Sequence, residues 1–122
     1  RRDILGALRG AVSDQIIEFK RKQFSLVGTA KCPITGAVLT PHNCHVDHKQ
    51  PNTFLSLVTR WIAAEAIQLG DIRISDSVDN QFVSVMADPA QNDSWRLFHR
   101  RNAVLRIISP KANLSMSKGA RP

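Results

Sequence analysis

The chain has 122 residues, of which 43% are hydrophobic, enough for one domain with one modest core. Seventeen Lys and Arg against ten Asp and Glu give a formal net charge of +7, which raises affinity for a polyanion such as nucleic acid. No apolar run is long enough to cross a bilayer, and the start of the chain lacks a secretory signal. We therefore expect a soluble, cytoplasmic protein that does not use a membrane.

The first predicted element is one helix within residues 1–26. Leu8, Val12 and Ile16 recur at helical spacing, and three basic residues lie near the C-terminal end, where positive charge is favourable. A segment centred on Gly28 ends the helix. We expect this helix to pack against the core as a brace.

A β-hairpin is predicted for residues 31–49. Residues 37–40 form its first arm, a Pro-His-Asn segment forms the turn, and residues 44–47 return antiparallel as the second arm. The second arm therefore ends with the adjacent pair Asp47 and His48.

Residues 53–103 are predicted to contain two helices and two short strands. Thr53 is expected to cap the first helix, and Gly70 is expected to end it. Three large aromatic residues lie on apolar stripes and are predicted to belong to the core rather than to stack on bases: Phe54, Trp61 and Trp95. The other expected elements are short strands at 72–74 and 82–85, a loop at 88–93, and a helix that ends near Asn102.

A closing strand and helix are predicted for residues 105–119. Residues 105–108 have strand character, Pro110 suits the start of a helix, and Gly119 suits its end. The mixture of helices with short strands predicts the α+β class.

The pair Asp47 and His48 predicts hydrolytic chemistry, because an Asp beside a His at a strand end can bind a metal and activate water. A carboxylate is a hard oxygen ligand suited to Mg²⁺ or Mn²⁺, and a neutral imidazole accepts a proton from water near pH 7. Asn113, early in the last helix, is a candidate second ligand. Asp-His pairs also cap turns, and Asn also caps helices, so a purely structural reading stays open.

Other polar residues nearby have less specific roles. His45 shares a strand face with Asp47 and is either a further ligand, a phosphate contact or a structural hydrogen-bond residue. His99 is expected to be a surface or packing residue rather than a ligand. Four basic residues lie next to the proposed site in the sequence and are expected to contact DNA phosphates without reading bases: Lys49, Arg106, Lys111 and Lys118.

Two cysteines, Cys32 and Cys44, are too few for a disulfide framework, and we expect them to stay thiols. Together with His42 or His45 they leave open a structural zinc in an interaction domain. No Cys-x-x-Cys pair supports this alternative, so a structural zinc is not expected.

Three segments of the chain resemble the HNH, or ββα-metal, endonucleases, and within them the bacterial branch related to plant DCL proteins. These segments are residues 32–36, residues 45–51 and residues 105–115. The resemblance implies a core of a hairpin and a C-terminal helix around one divalent cation, Mg²⁺ or Mn²⁺. It implies that Asp47 is the first metal ligand, His48 the general base and Asn113 the distal ligand.

The chain also departs from the family pattern, both in its candidate zinc ligands and in the spacing of its segments. Many HNH domains bind structural zinc through two Cys-x-x-Cys knuckles, but the corresponding positions here are Cys32 with Thr35 and Ser109 with Ala112. The chain would therefore be a zinc-free variant. The segment between Asp47 and the last helix is also longer than usual, so residues 53–103 would be an insertion.

We therefore expect a single HNH-like nuclease domain that hydrolyses DNA phosphodiester bonds by a one-metal mechanism, with RNA as a less favoured substrate. The alternative is a nucleic-acid-binding module on the same scaffold that does not cleave. The chain starts at Arg1 rather than Met, which leaves room for further domains of a longer protein. A dimer also stays open, because a double-strand cut calls for two active sites.

Overall fold

The structure is a computed structural model that describes residues 2–76 and 84–116. It divides into two compact units, the first drawn from Arg1–Asp14 with Phe54–Asn102 and the second from Gln15–Thr53 with Ala103–Pro122. The described residues form five α-helices and three two-stranded antiparallel sheets, so the predicted α+β class is confirmed. Within these residues, no helix combines the length and the apolar character needed to cross a membrane.

The helices and strands follow one another in a mixed order. They are α1 (Arg2–Ala11), α2 (Ser13–Gln23), β1 (Ala30–Lys31), β2 (Val38–Leu39), β3 (His45–His48), α3 (Phe54–Ala64), a 3₁₀ turn (Leu69–Asp71), β4 (Ile74–Asp76), β5 (Ser84–Met86), α4 (Pro89–Asn102), β6 (Leu105–Ile108) and α5 (Pro110–Met116). In the sheets β1 pairs with β2, β3 with β6, and β4 with β5.

The core of the first unit is built around Trp95, which is fully buried in α4. Its indole nitrogen donates to the carbonyl oxygen of Leu8 at 2.9 Å, which satisfies the one polar atom of the ring. The rings of Phe54 and Trp61 lie 5.8 and 5.4 Å from the Trp95 ring, so the predicted core role of all three aromatic residues is confirmed. His99 is also fully buried, 5.7 Å from Trp95, and is a packing residue.

The core of the second unit joins a helix, a turn and two sheets. Its buried members are Phe24, Cys32, Leu39, Ile107, Ile108 and Ala112. Strand β6 contributes two of them, and α5 packs against β3. Strands β3 and β6 and helix α5, which carry the predicted site residues, therefore pack around this core.

The predicted first helix is two helices, α1 and α2, that meet at Val12. The hydroxyl of Ser13 donates to the carbonyl oxygen of Gly10 at 2.9 Å, and the amide of Val12 donates to Arg9 at 3.2 Å. Glycine is a poor helix former and Ser favours helix ends, so local chemistry interrupts a pattern that periodicity alone reads as continuous.

The predicted pairing of the hairpin is wrong, although strand β3 lies where the sequence placed it. Residues 38–39 pair with Ala30–Lys31, and β3 pairs with β6, from His45 opposite Ile108 to His48 opposite Leu105. The turn before β3 exists, since Asn43 Oδ1 accepts the Thr40 amide at 2.6 Å. Ile107 and Ile108 of β6 are buried in the core of the second unit, and this long-range burial outweighs the local signal of the turn.

Helix ends in the first unit also differ from the prediction. Helix α3 ends at Ala64 rather than near Gly70, and Ala66 adopts a positive φ of 55°. Helix α4 begins at Pro89 rather than after a loop at 88–93. Asp88 Oδ1 accepts the amides of Ala90 and Gln91, so Asp88 is an N-cap that precedes a first-position proline.

The closing elements agree with the prediction where the structure describes them. Strand β6 has the predicted bounds, Leu105–Ile108, and α5 begins at Pro110 as expected. The predicted helix end at Gly119, the basic residue Lys118 and the first half of the predicted strand at 82–85 lie outside the described residues.

Candidate functional site

Asp47 lies near the end of β3 and is directly opposite Arg106 of β6. Its carboxylate is 6% exposed, and Oδ2 accepts a hydrogen bond from Arg106 Nε at 2.9 Å. A carboxylate this deeply buried needs a partner of opposite charge, since burial of an unpaired charge is costly. Arg106 was predicted to contact phosphate, and the structure adds a role that the sequence did not reveal, that of charge partner to Asp47.

His48 is the last residue of β3 and is half-buried, whereas His45 at the start of the strand is exposed. Because side chains alternate along a strand, His45 and Asp47 share one face and His48 belongs to the other. The amide of Lys49 donates to Val104 at 2.8 Å, so main-chain pairing continues one residue beyond the strand. That Asp47 and His48 act on the same substrate stays a prediction. It requires the backbone to turn at the end of β3, so that both side chains can reach one site.

Asn113 lies in the middle of α5, the helix that packs against β3. It is half-buried, and its amide donates to Ser109 at 3.0 Å as part of the helix. The cap of this helix is Ser109, whose Oγ accepts the amide of Ala112 at 3.0 Å. The capping alternative for Asn113 is therefore wrong, and its role as a distal ligand stays a prediction.

Two of the predicted phosphate contacts are placed where a polyanion could reach them. Lys49 follows β3 directly and Lys111 lies in the first turn of α5, and both are exposed. Lys49 directly follows His48, and Lys111 lies two residues before Asn113. Positive charge at the two elements that carry the candidate site suits a phosphate backbone.

The four positions at which the resemblance places zinc ligands come together in the second unit. We call Cys32, Thr35, Ser109 and Ala112 the Cys32 cluster. The sulfur of Cys32 accepts the amides of Thr35 and Ser109, each at 3.4 Å. The hydroxyls of Thr35 and Ser109 lie 3.5 Å apart, and Ala112 donates to Ser109 Oγ. Zinc takes thiolate, imidazole or carboxylate ligands, so only Cys32 of the four fits it.

The hydrogen bonds to Cys32 also change its acidity. Burial raises the pKa of the Cys32 thiol, but hydrogen bonds from Thr35, Ser109 and the amide of Ile34 lower it by a larger amount. The net effect is a pKa lowered to about 6. The second cysteine, Cys44, is half-buried and its sulfur donates to the carbonyl oxygen of Pro41 at 4.0 Å. The two thiols therefore differ in both environment and partners.

The donor set at β3 and α5 suits a hard divalent cation. Among residues 2–76 and 84–116, no three His, Cys, Asp or Glu side chains are grouped to hold a metal, so a cation here needs the Asn113 oxygen and water. Mg²⁺ commonly keeps several waters and uses one or two carboxylates. Asp47 supplies a carboxylate and Asn113 an amide oxygen, and both are ligand types that suit such a cation.

Comparison with known proteins gives no match for this chain: no protein-family model, curated protein or solved structure is significantly similar to it. Its function therefore has to be inferred from its own residues. Sequence patterns did not identify the partner of Asp47, because the pairing of β3 with β6 joins strands that are far apart in the chain.

Proposed function

We propose that this chain is a metal-dependent endonuclease that hydrolyses phosphodiester bonds of DNA with one divalent cation, Mg²⁺ or Mn²⁺. The observation that carries the proposal is the antiparallel pairing of β3 with β6. Helix α5 comes after β6 in the chain and packs against β3. Asp47, His48 and Asn113 thereby belong to one strand-strand-helix unit, despite the long segment between them in the sequence.

Asp47 and Asn113 are the residues that would hold the cation, through a carboxylate and an amide oxygen. When bound, the cation would polarise the scissile phosphate and stabilise the leaving oxygen. His48 accepts a proton from the attacking water at a ring nitrogen, so that the water attacks phosphorus as hydroxide. The bond between phosphorus and the leaving oxygen then breaks, and that oxygen takes a proton from solvent. Arg106 orients the Asp47 carboxylate, because its Nε donates a hydrogen bond to Oδ2.

The charge of the chain supports a nucleic-acid substrate. The net charge is +7, and the exposed Lys49 and Lys111 lie beside the candidate site in the chain. Such contacts bind the phosphate backbone without reading bases, which predicts cleavage with little sequence preference and strong salt dependence.

A plasmid-nicking assay with Mg²⁺ or Mn²⁺ tests this proposal directly. Wild type should convert supercoiled DNA to the nicked form, and EDTA should stop the reaction. His48→Ala should lower the rate by about 100-fold or more, the usual effect of removing a general base. Asp47→Asn and Asn113→Ala should also lose activity. Asp47→Asn is preferred to Asp47→Ala because it keeps an oxygen that accepts the Arg106 hydrogen bond.

Matched controls come from the same residue types outside the site. His42→Ala, in the exposed turn before β3, and Asn92→Ala, in α4 of the first unit, should cleave like wild type. Circular dichroism spectra should be the same for all variants. Cleavage that is unchanged by His48→Ala would reject the proposed mechanism.

One observation favours a second candidate function, DNA binding without cleavage. Arg106 forms an ion pair with Asp47, so the buried carboxylate has a structural reason to be present. This candidate predicts salt-sensitive DNA binding by wild type with no nicking in any divalent metal. Binding that also survives Asp47→Asn and Asn113→Ala unchanged would favour it over the nuclease.

A further inference from the structure

The Cys32 cluster links two parts of the second unit that are distant in sequence. Cys32 and Thr35 belong to the tight turn between β1 and β2, and Ser109 and Ala112 belong to the junction between β6 and α5. In that turn Gly36 has a φ of 74°, which favours glycine, and its amide donates to the Cys32 carbonyl oxygen at 2.8 Å. The geometry of the turn is therefore fixed by its own main chain.

The contacts between the two parts converge on one sulfur atom. Cys32 Sγ accepts the Thr35 amide from its own turn and the Ser109 amide from the β6–α5 junction, both at 3.4 Å. Ser109 Oγ in turn lies 3.5 Å from Thr35 Oγ1 and accepts the Ala112 amide at 3.0 Å. Two hydroxyl groups and one sulfur thus join four positions arranged as two pairs with the same i, i+3 spacing.

We propose that this hydrogen-bond cluster takes the structural place of a metal ion, with the Cys32 sulfur as the central acceptor that fastens the β1–β2 turn to the start of α5. A metal ion would join two such i, i+3 pairs through four ligands. Here the same positions are joined by main-chain amides, two hydroxyls and one sulfur. Cys32 is 2% exposed, so these hydrogen bonds form away from competing water.

The cluster also has a consequence for the candidate site, a consequence that rests on the proposed function. Asn113 follows Ala112 directly in α5, so the cluster fixes the start of the helix that carries the proposed distal ligand. Cys32 is thus a positioning residue rather than a catalytic one. The existence of the cluster itself does not depend on nuclease activity.

The arrangement is tested by rebuilding the metal site. In the triple variant Thr35→Cys, Ser109→Cys and Ala112→Cys, four thiols would occupy the four positions, and the protein should bind one Co²⁺ per chain with the visible absorption of tetrahedral thiolate coordination. Wild type should not give this spectrum. The matched control, Thr35→Cys, Ser109→Cys and Lys111→Cys, has as many thiols but moves one to an exposed position.

A triple variant that binds Co²⁺ no more tightly than the matched control would overturn the proposal, as would stoichiometric tight binding of zinc by wild type. A second measurement covers the case in which the triple variant does not fold. In wild type the amides of Thr35 and Ser109 should exchange slowly with deuterium, and Cys32→Ala should accelerate both while Cys44→Ala leaves them slow. Unchanged exchange in Cys32→Ala would also contradict the proposal.

Discussion

At the scale of single residues, Asp47 and Arg106 are the most informative pair in the second unit. Their side chains are 6% and 13% exposed and are joined by a 2.9 Å hydrogen bond between opposite charges. Such a pair adds little net stability over apolar residues of the same size, but removal of one partner leaves the other charged and poorly solvated. The pair therefore fixes the orientation of the carboxylate more than it stabilises the fold.

Loss of Arg106 should destabilise the protein more than loss of both charges together. We expect Arg106→Met to lower the free energy of unfolding by about 3 kcal/mol at pH 7, because it removes the guanidinium that forms an ion pair with the buried Asp47 carboxylate. The double variant Asp47→Asn with Arg106→Met should lose clearly less, since no charge stays buried. Urea unfolding of the four proteins in this cycle measures the difference. Equal losses in the single and double variants would show that the ion pair is not buried as described.

At the scale of elements, the residue pattern predicted the bounds of single strands and helices but did not predict which strands pair. The bounds of β6 and the start of α5 follow from a short apolar run and a Ser-Pro pair, and both are confirmed. The partner of β3 could not be predicted, because a turn before β3 is present yet the strand pairs with β6. The break at Val12 has a local signal in Gly10 with Ser13, and the start of α4 has one in Asp88 before Pro89, but apolar periodicity alone indicates neither.

The candidate site shows the same division. Asp47, His48 and Asn113 were predicted from their residue types and from the family resemblance, and the two i, i+3 pairs of the Cys32 cluster follow from the resemblance alone. The hydrogen bonds that join the cluster were not, because a threonine and a serine give no signal of a shared acceptor across the fold. Only the structure shows that Cys32 Sγ receives both amides.

The Cys32 cluster also predicts a pH dependence of stability. The pKa of Cys32 is lowered from 9.0 to about 6 in the folded chain, so between these values the unfolded chain binds more protons than the folded one. The free energy of unfolding should therefore rise with pH from 6 to 9, by about 1 kcal/mol per pH unit, and this contribution should vanish below pH 6.

Chemical unfolding at several pH values, compared between wild type and Cys32→Ser, isolates this effect from other titrating groups. Cys44, the second cysteine, also packs against this core, so Cys44→Ser is the control and should keep the wild-type slope. Parallel curves for wild type and Cys32→Ser over this pH window would show that the thiol does not ionise in the fold.

At the scale of the whole molecule, the chain is divided into units that do not follow its linear order. Each unit combines an earlier and a later segment, and the second unit contains all three residues of the proposed site, Asp47, His48 and Asn113. The first unit has its own core around Trp95. The prediction of a single nuclease domain with an insertion stays a prediction, as do the dimer and any further domains. The net charge could be calculated from the amino-acid composition, but the division into two units could not be predicted from it.

The central claim is that Asp47 and Asn113 hold one divalent cation, and direct binding of Mn²⁺ tests it without any need for a substrate. Electron paramagnetic resonance of free Mn²⁺ should show one bound ion per wild-type chain. Asp47→Asn and Asn113→Ala should each lose this binding, whereas His48→Ala, which removes the proposed base but no ligand, should keep it. Equal Mn²⁺ binding by wild type, Asp47→Asn and Asn113→Ala would contradict the account.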